Sequence, residues 1–278
     1  MIKTTRRTLL ALAAAAPAVA AFGSASAQVS EGQRPGTGRV ALVTGSSRGI
    51  GAATARRLAR EGYAVTVNCR VRSDLAAEVV REIETEGGRA IWRQADVADP
   101  AQVRSLFDAN DEAFGGVDVV ISNAGIMNTG SFAGMEDADF DRMIATNVKG
   151  SFNVLREAAR RTRDGGRIIS LGSSIVLMTP AQCGPYAATK AVQDRYASAL
   201  AKELAGRRIS VNAIAPGAVD TDLLRSKGTP EQLEGAAAAT PYGRLGKADD
   251  IASVIAGLCS SSGEWINGQL VFANGGIA

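Results

Sequence analysis

Tyr186 and Lys190 stand four positions apart in the stretch YAATK. On a helix those two positions share one face, so an ammonium group is placed beside a phenolic oxygen. A free tyrosine titrates near ~10, and a neighbouring cation favours its phenolate, drawing that value toward the working range of a proton donor and acceptor. Such a spacing also occurs on ordinary helix surfaces, so the pair gains meaning only from its surroundings. The chain contains no histidine. A Ser-His-Asp triad and a histidine-ligated metal are thereby excluded, and acid–base work falls to other groups. A second cluster, TGSSRGIG at residues 44–51, carries Gly45, Gly49 and Gly51. Glycines between a strand and a helix permit positive φ and close backbone approach, while the helix N-terminus offers free N–H groups and partial positive charge to a phosphate.

Groups so far apart in the chain need a scaffold that brings them together. From Arg39 onward, apolar runs of strand length alternate with amphipathic stretches of helix length. The predicted strands are RVALVT, YAVTVNC, RAIWRQ, VDVVIS, RIISLG, ISVNAIA and QLVFA. Helices are expected over about 50–61 and 73–86, after Pro100, from about Asp137 into the Arg160 region, through YAATKAVQDRYASALAKELA, and in KADDIASVIAGLCS. Continuous apolar strands alternating with helices indicate an α/β fold: one doubly wound, Rossmann-type domain with a seven-stranded parallel sheet covered on both faces. No repeat or low-complexity linker divides it. Hydrophobic residues at 46%, charged residues at 21% and 31 glycines suit a soluble globular protein rich in tight turns. The net charge of +3 is mild and dispersed, without the basic stripe and interleaved aromatics of a nucleic-acid binder.

The first 27 residues differ from the rest. Lys3, Arg6 and Arg7 precede an apolar run from Leu9 to Phe22, and Ala25-Ser26-Ala27 forms a small-x-small cleavage pattern. This reads as a twin-arginine-type export signal cleaved after Ala27, with a periplasmic destination and no stable membrane insertion of the mature chain. If the segment is not a functional signal, the protein is cytoplasmic. Cys69, Cys183 and Cys259 are isolated and lack CxxC spacing, and Cys69 and Cys259 are expected to be buried as small hydrophobes.

Taken together, these motifs resemble the short-chain dehydrogenase/reductase family, in its compact single-domain branch, over roughly residues 36–278. TGSSRGIG is similar to that family's TGxxxGxG, and SNAG at 122–125 to its NNAG, with Ser122 replacing the first asparagine. Asn147 in ATNVKG, Ser173 thirteen residues before Tyr186, and PGAVDTD at 216–222 fall in the family's order. The resemblance implies a catalytic set of Asn147, Ser173, Tyr186 and Lys190, with Tyr186 as general acid/base. Ser173 would hydrogen-bond the substrate oxygen. Lys190 would also hold the nicotinamide ribose, and Asn147 would orient a water that relays protons to it. Cofactor contacts are implied for Gly45, Ser47, Arg48, Gly49, Ile50, Gly51, Asn123, Ala124, Gly125, Pro216, Gly217, Val219 and Thr221, with Asp96 and Val97 at the adenine.

An acidic residue closing the second strand would favour NAD. Cys69 occupies that position here, followed by Arg70, and Arg48 adds a second cation. Guanidinium groups suit a 2′-phosphate, so NADP(H) is favoured over NAD(H). The expected activity is hydride transfer between the nicotinamide and a carbonyl or secondary alcohol, nearest in pattern to 3-oxoacyl-thioester reductases and sugar-alcohol dehydrogenases. The enoyl-reductase branch, which separates tyrosine and lysine further, fits less well. The alternatives are an NAD-dependent alcohol or sugar dehydrogenase, or a dinucleotide sensor without turnover. The resemblance also implies a homotetramer or homodimer paired through helices around 140–160 and 186–205.

Overall fold

Seven strands form a single parallel sheet in the computed structural model, which describes residues 34–277. They are β1 (Val40–Val43), β2 (Ala64–Cys69), β3 (Arg89–Gln94), β4 (Val117–Ser122), β5 (Thr162–Leu171), β6 (Ser210–Pro216) and β7 (Leu270–Ala273). Their spatial order is β3-β2-β1-β4-β5-β6-β7. Every residue of β1, β2 and β6 is buried, which explains their continuous apolar runs: both faces are covered. The export segment expected over residues 1–27 lies outside the described residues.

The helices are α1 (Gly49–Arg60), α2 (Ser73–Thr85), α3 (Pro100–Phe114), α4 (Asp137–Met143), α5 (Ser151–Arg161), α6 (Ile175–Met178), α7 (Gly184–Glu203), α8 (Asp222–Arg225), α9 (Pro230–Ala238) and α10 (Ala248–Cys259). One core layer joins α1, α2 and α10 to the sheet through residues such as Leu58, Ile83 and Ile255. The opposite layer joins α3, α5 and α7 through Phe107, Val154 and Leu200. Cys69 and Cys259 are buried in the first layer, as expected for small hydrophobes. Among the described residues, no helix is long and apolar enough to cross a membrane.

The chain order reverses between β1 and β4, so their carboxyl ends open a crevice at the switch point. Residues 44–51 and 122–125 leave the sheet at that crevice. The single helix expected from Asp137 to the Arg160 region is interrupted by a π-helical turn at Ile144–Gly150. The turn's carbonyl finds polar side-chain partners. The Asn147 carbonyl accepts from Gln193 Nε2 and from Ser151 Oγ, both at 2.8 Å, so partners outside the regular ladder satisfy it. Gly150 lets the turn pass close to Val97, since a Cβ there would lie 2.7 Å from the valine Cγ2.

Candidate active site

The glycine turn is braced from below by side chains that present no chemistry of their own. Asn68, buried near the end of β2, accepts from the Gly45 N–H at 3.1 Å. Its Nδ2 donates to the carbonyls of Cys69, Arg93 and Ala95. Thr44 Oγ1 accepts from the N–H groups of Asn123 and Ala124, and Asn123 Nδ2 donates to the carbonyls of Thr44 and Gly45. The Asn123 amide is therefore spent on joining β4 to the turn; its expected place at a cofactor is that of a brace lining the cleft. Gly45 and Gly49 have φ of +61° and +57°, in the left-handed region. A Cβ on Gly51 would meet Asn123 Nδ2 and the Gly45 carbonyl at 2.5 Å.

These features fit a dinucleotide pyrophosphate. The Arg48 N-cap of α1 makes no side-chain cap hydrogen bond and the first turn carries no acidic residue, leaving N–H groups and positive dipole facing the cleft. The cleft is lined by Gly45, Ser47, Arg48, Gly49, Ile50, Gly51, Arg70, Asp96, Val97, Asn123, Ala124, Gly125 and Thr221. The structure thus brings these residues together from five separate segments, while Tyr186, Lys190, Pro216, Gly217 and Val219, also expected at the cofactor, line the adjoining cavity. Arg70 lies 3.8 Å from Asp96 and Arg48 lies 3.7 Å from Asp222, and both guanidiniums are more than half exposed. Exposed pairs at such separations are weak and exchange readily. Asp96 also accepts from the Ala98 N–H, which holds its carboxylate at the rim.

At the other end of the crevice, α7 presents Tyr186 and Lys190 on one buried face. The segment after β5 is fixed against β6 by Gly172 N–H to the Ile214 carbonyl at 2.7 Å and Ser174 Oγ to the Ala215 carbonyl at 3.0 Å. That places Ser173 and Tyr186 in the same cavity. Lys190 Nζ donates to the Leu171 carbonyl at 2.8 Å. Both side chains line one cavity of about 570 Å³ with Ser173, Asn123, Pro216, Gly217, Val219 and Thr221.

The electrostatics correct one expectation. Tyr186 is pushed up to about 12 by burial, against a smaller opposing effect of the Ser173 side chain. Burial likewise pushes Lys190 down, to about 8. The anticipated lowering of the tyrosine does not appear: desolvation of the buried phenolate dominates, and Lys190 is not among the groups that shift it. The phenol consequently holds its proton at neutral pH.

Asn147 is buried and does not line the cleft. Its Oδ1 accepts from the Ile126 N–H and its Nδ2 donates to the Ile126 carbonyl, each at 2.8 Å, and to Thr189 Oγ1 at 3.0 Å. The side chain therefore anchors the strand extension after Gly125 to α7. Asn147 Oδ1 and Lys190 Nζ both flank Gly125, each 3.3 Å from where a Cβ would stand. Sequence reasoning missed Thr44, Asn68, Thr189 and Gln193. Only Asn68, a polar residue within an apolar strand run, left a readable signal.

Fold and site together define an oxidoreductase of dinucleotide-binding α/β architecture. The chain belongs to the short-chain dehydrogenase/reductase family. The family model described as enoyl-(acyl carrier protein) reductase matches residues 45–278. A short-chain type dehydrogenase/reductase of Picea abies is 41% identical over 249 residues, covering 86% of this chain and 92% of the relative. An NADPH-dependent aldehyde reductase-like protein, chloroplastic, of Arabidopsis thaliana is 41% identical over 267 residues, covering 91% and 99%. Among solved structures, a short chain dehydrogenase from Burkholderia cenocepacia in complex with NADP superposes with a TM-score of 0.83 at 40% identity, covering 88% of this chain and 99% of the other.

Proposed function

We propose that the protein is an NADP(H)-dependent carbonyl reductase in which Tyr186 is the proton donor. The observation that carries this reading is the meeting of Tyr186, Ser173 and Lys190 in one cavity at the sheet's switch point, continuous with the glycine turn. Bound along that cleft, the dinucleotide supplies the hydride. Tyr186 suits reduction, because burial keeps its proton in place until an oxyanion develops beside it. Ser173, in the same cavity as Tyr186, donates to the same oxygen and stabilises the developing charge. Lys190 would hold the ribose, and its ammonium would favour the phenolate left after proton transfer. Asn147 keeps the Ile126 segment and α7 in register around it, and its neighbourhood with Lys190 at Gly125 is where a proton-relaying water would sit.

NADP(H) is favoured by Arg48 and Arg70 at the cleft rim and by Cys69 where an acidic residue would hold ribose hydroxyls. The relative named an NADPH-dependent aldehyde reductase and the solved relative in complex with NADP support this choice. The test is consumption of NADPH with a panel of aldehydes and ketones. Tight NADPH binding with no turnover across the panel would make the protein a dinucleotide-binding protein instead.

A homodimer or homotetramer is part of the same reading. Phe140, Ile144 and Phe152 are exposed on the 137–161 segment, and Phe272 on β7 and the nearby Trp265 form a second exposed apolar set. Light scattering should give two or four chain masses at micromolar concentration. A monomer mass there contradicts it.

A further inference from the structure

The cavity holding Tyr186 continues beneath α8 and α9 as far as Ile277. Its outer wall is built from Met127, Ile175, Met178, Leu223, Leu233 and Ala236. Among the described residues that line it, none is Asp, Glu or Arg, and its charged side chains are Lys190 and Lys227. The Lys227 ammonium is engaged across the mouth, donating to Asn128 Oδ1 at 3.1 Å. A ligand rich in hydroxyl groups would find few partners on this wall, and each desolvated, unpaired hydroxyl is unfavourable.

The wall also lacks something to pack against. α9 is firmly started, by Pro230 in its first turn and a reciprocal Thr229–Gln232 capping box, yet it has no buried residue. Its half-buried Leu233 and Ala236 face the cavity, where a surface helix would ordinarily seat its apolar stripe on a core. α6 opposite likewise has no buried residue, and Met178 remains 44% exposed. Two unpacked apolar faces converge on the same space as the proton donor. The thioethers of Met127 and Met178 adapt to irregular or aromatic shapes.

The geometry points to a carbonyl compound with an extended apolar body as the substrate, its oxygen on Tyr186 and Ser173 and its body between Met178 and Leu233. This rests on the carbonyl-reductase reading and narrows it, away from sugars. The occupant completes the packing that α6 and α9 leave open.

The test compares kcat/KM of the full protein with NADPH across straight-chain aldehydes from propanal to octanal, with xylose and benzaldehyde. Burial of each methylene should raise kcat/KM about three- to fourfold until the wall is covered. Benzaldehyde should exceed xylose by at least about tenfold. Leu233→Gln should lower the octanal-to-propanal ratio about tenfold, a ratio insensitive to the fraction of folded enzyme. A chain-length series without slope, or preference for xylose, overturns the apolar assignment while the reductase reading stands. Failure to reduce any of these compounds despite NADPH binding overturns both.

Discussion

Replacing Arg70 by Asp together with Arg48 by Ala should move cofactor preference from NADPH toward NADH. The two guanidiniums reach the cleft from β2 and from the glycine turn, and their present partners, Asp96 and Asp222, stand 3.8 and 3.7 Å away. A charge-assisted hydrogen bond to a phosphate contributes about 1.5–3 kcal/mol, and giving up each exposed pair costs up to about 1 kcal/mol. The net contribution is then about 0.5–2 kcal/mol per arginine, or about 1–4 kcal/mol for both. That corresponds to a fall of about 5- to 1,000-fold in the NADPH-to-NADH ratio of kcat/KM. Either change alone should produce about the square root of that effect, because the arginines approach from separate segments. Initial rates with each cofactor at a fixed concentration of a good aldehyde measure the ratio. The wild-type KM for NADPH should also rise with ionic strength more steeply than that for NADH. An unchanged ratio in the double variant would refute the placement of the phosphate.

Gly51→Ala should weaken NADPH binding and destabilise the fold by about 1–3 kcal/mol, because the new methyl group meets Asn123 Nδ2 and the Gly45 carbonyl at 2.5 Å; a normal melting temperature with normal affinity contradicts this. Lys190 supplies a pH prediction. Its pKa is lowered by burial to about 8, so NADPH affinity of the free protein should fall as pH rises through about 8, and Lys190→Met should abolish that step in a fluorescence titration. The stability sign is the reverse: with a folded value below the unfolded one, this lysine's contribution is full above the unfolded pKa and is lost as pH falls through about 8.

The strand runs were legible because a sheet covered on both faces requires uninterrupted apolar residues, as VALV in β1 illustrates. The site residues were legible because glycines at a strand-to-helix turn and a Tyr–Lys pair on one helix face have few other physical uses in that order. The π turn at Ile144–Gly150 was not legible. It depends on Gln193, a residue 46 positions from Asn147 that spacing cannot connect to it. The short helices α8 and α9 were hidden for a different reason. They bury no residue against the core, so the periodic apolar signal that marks a packed helix is weak there. The upward shift of Tyr186 was not legible because helical adjacency can be inferred from spacing, while the depth of burial that raises the phenol is a tertiary property.

The central claim is that Tyr186 donates the proton in reduction. Tyr186→Phe keeps the ring and its packing on α7 and removes only the hydroxyl that shares the cavity with Ser173. Single-turnover oxidation of bound NADPH by an aldehyde, followed by stopped-flow, isolates the chemical step from binding and release. The variant should bind NADPH within about twofold of wild type, and its hydride-transfer rate should fall by about 100-fold or more, the scale of a lost general acid. Hydride transfer within a few-fold of wild type in the phenylalanine variant would contradict the account.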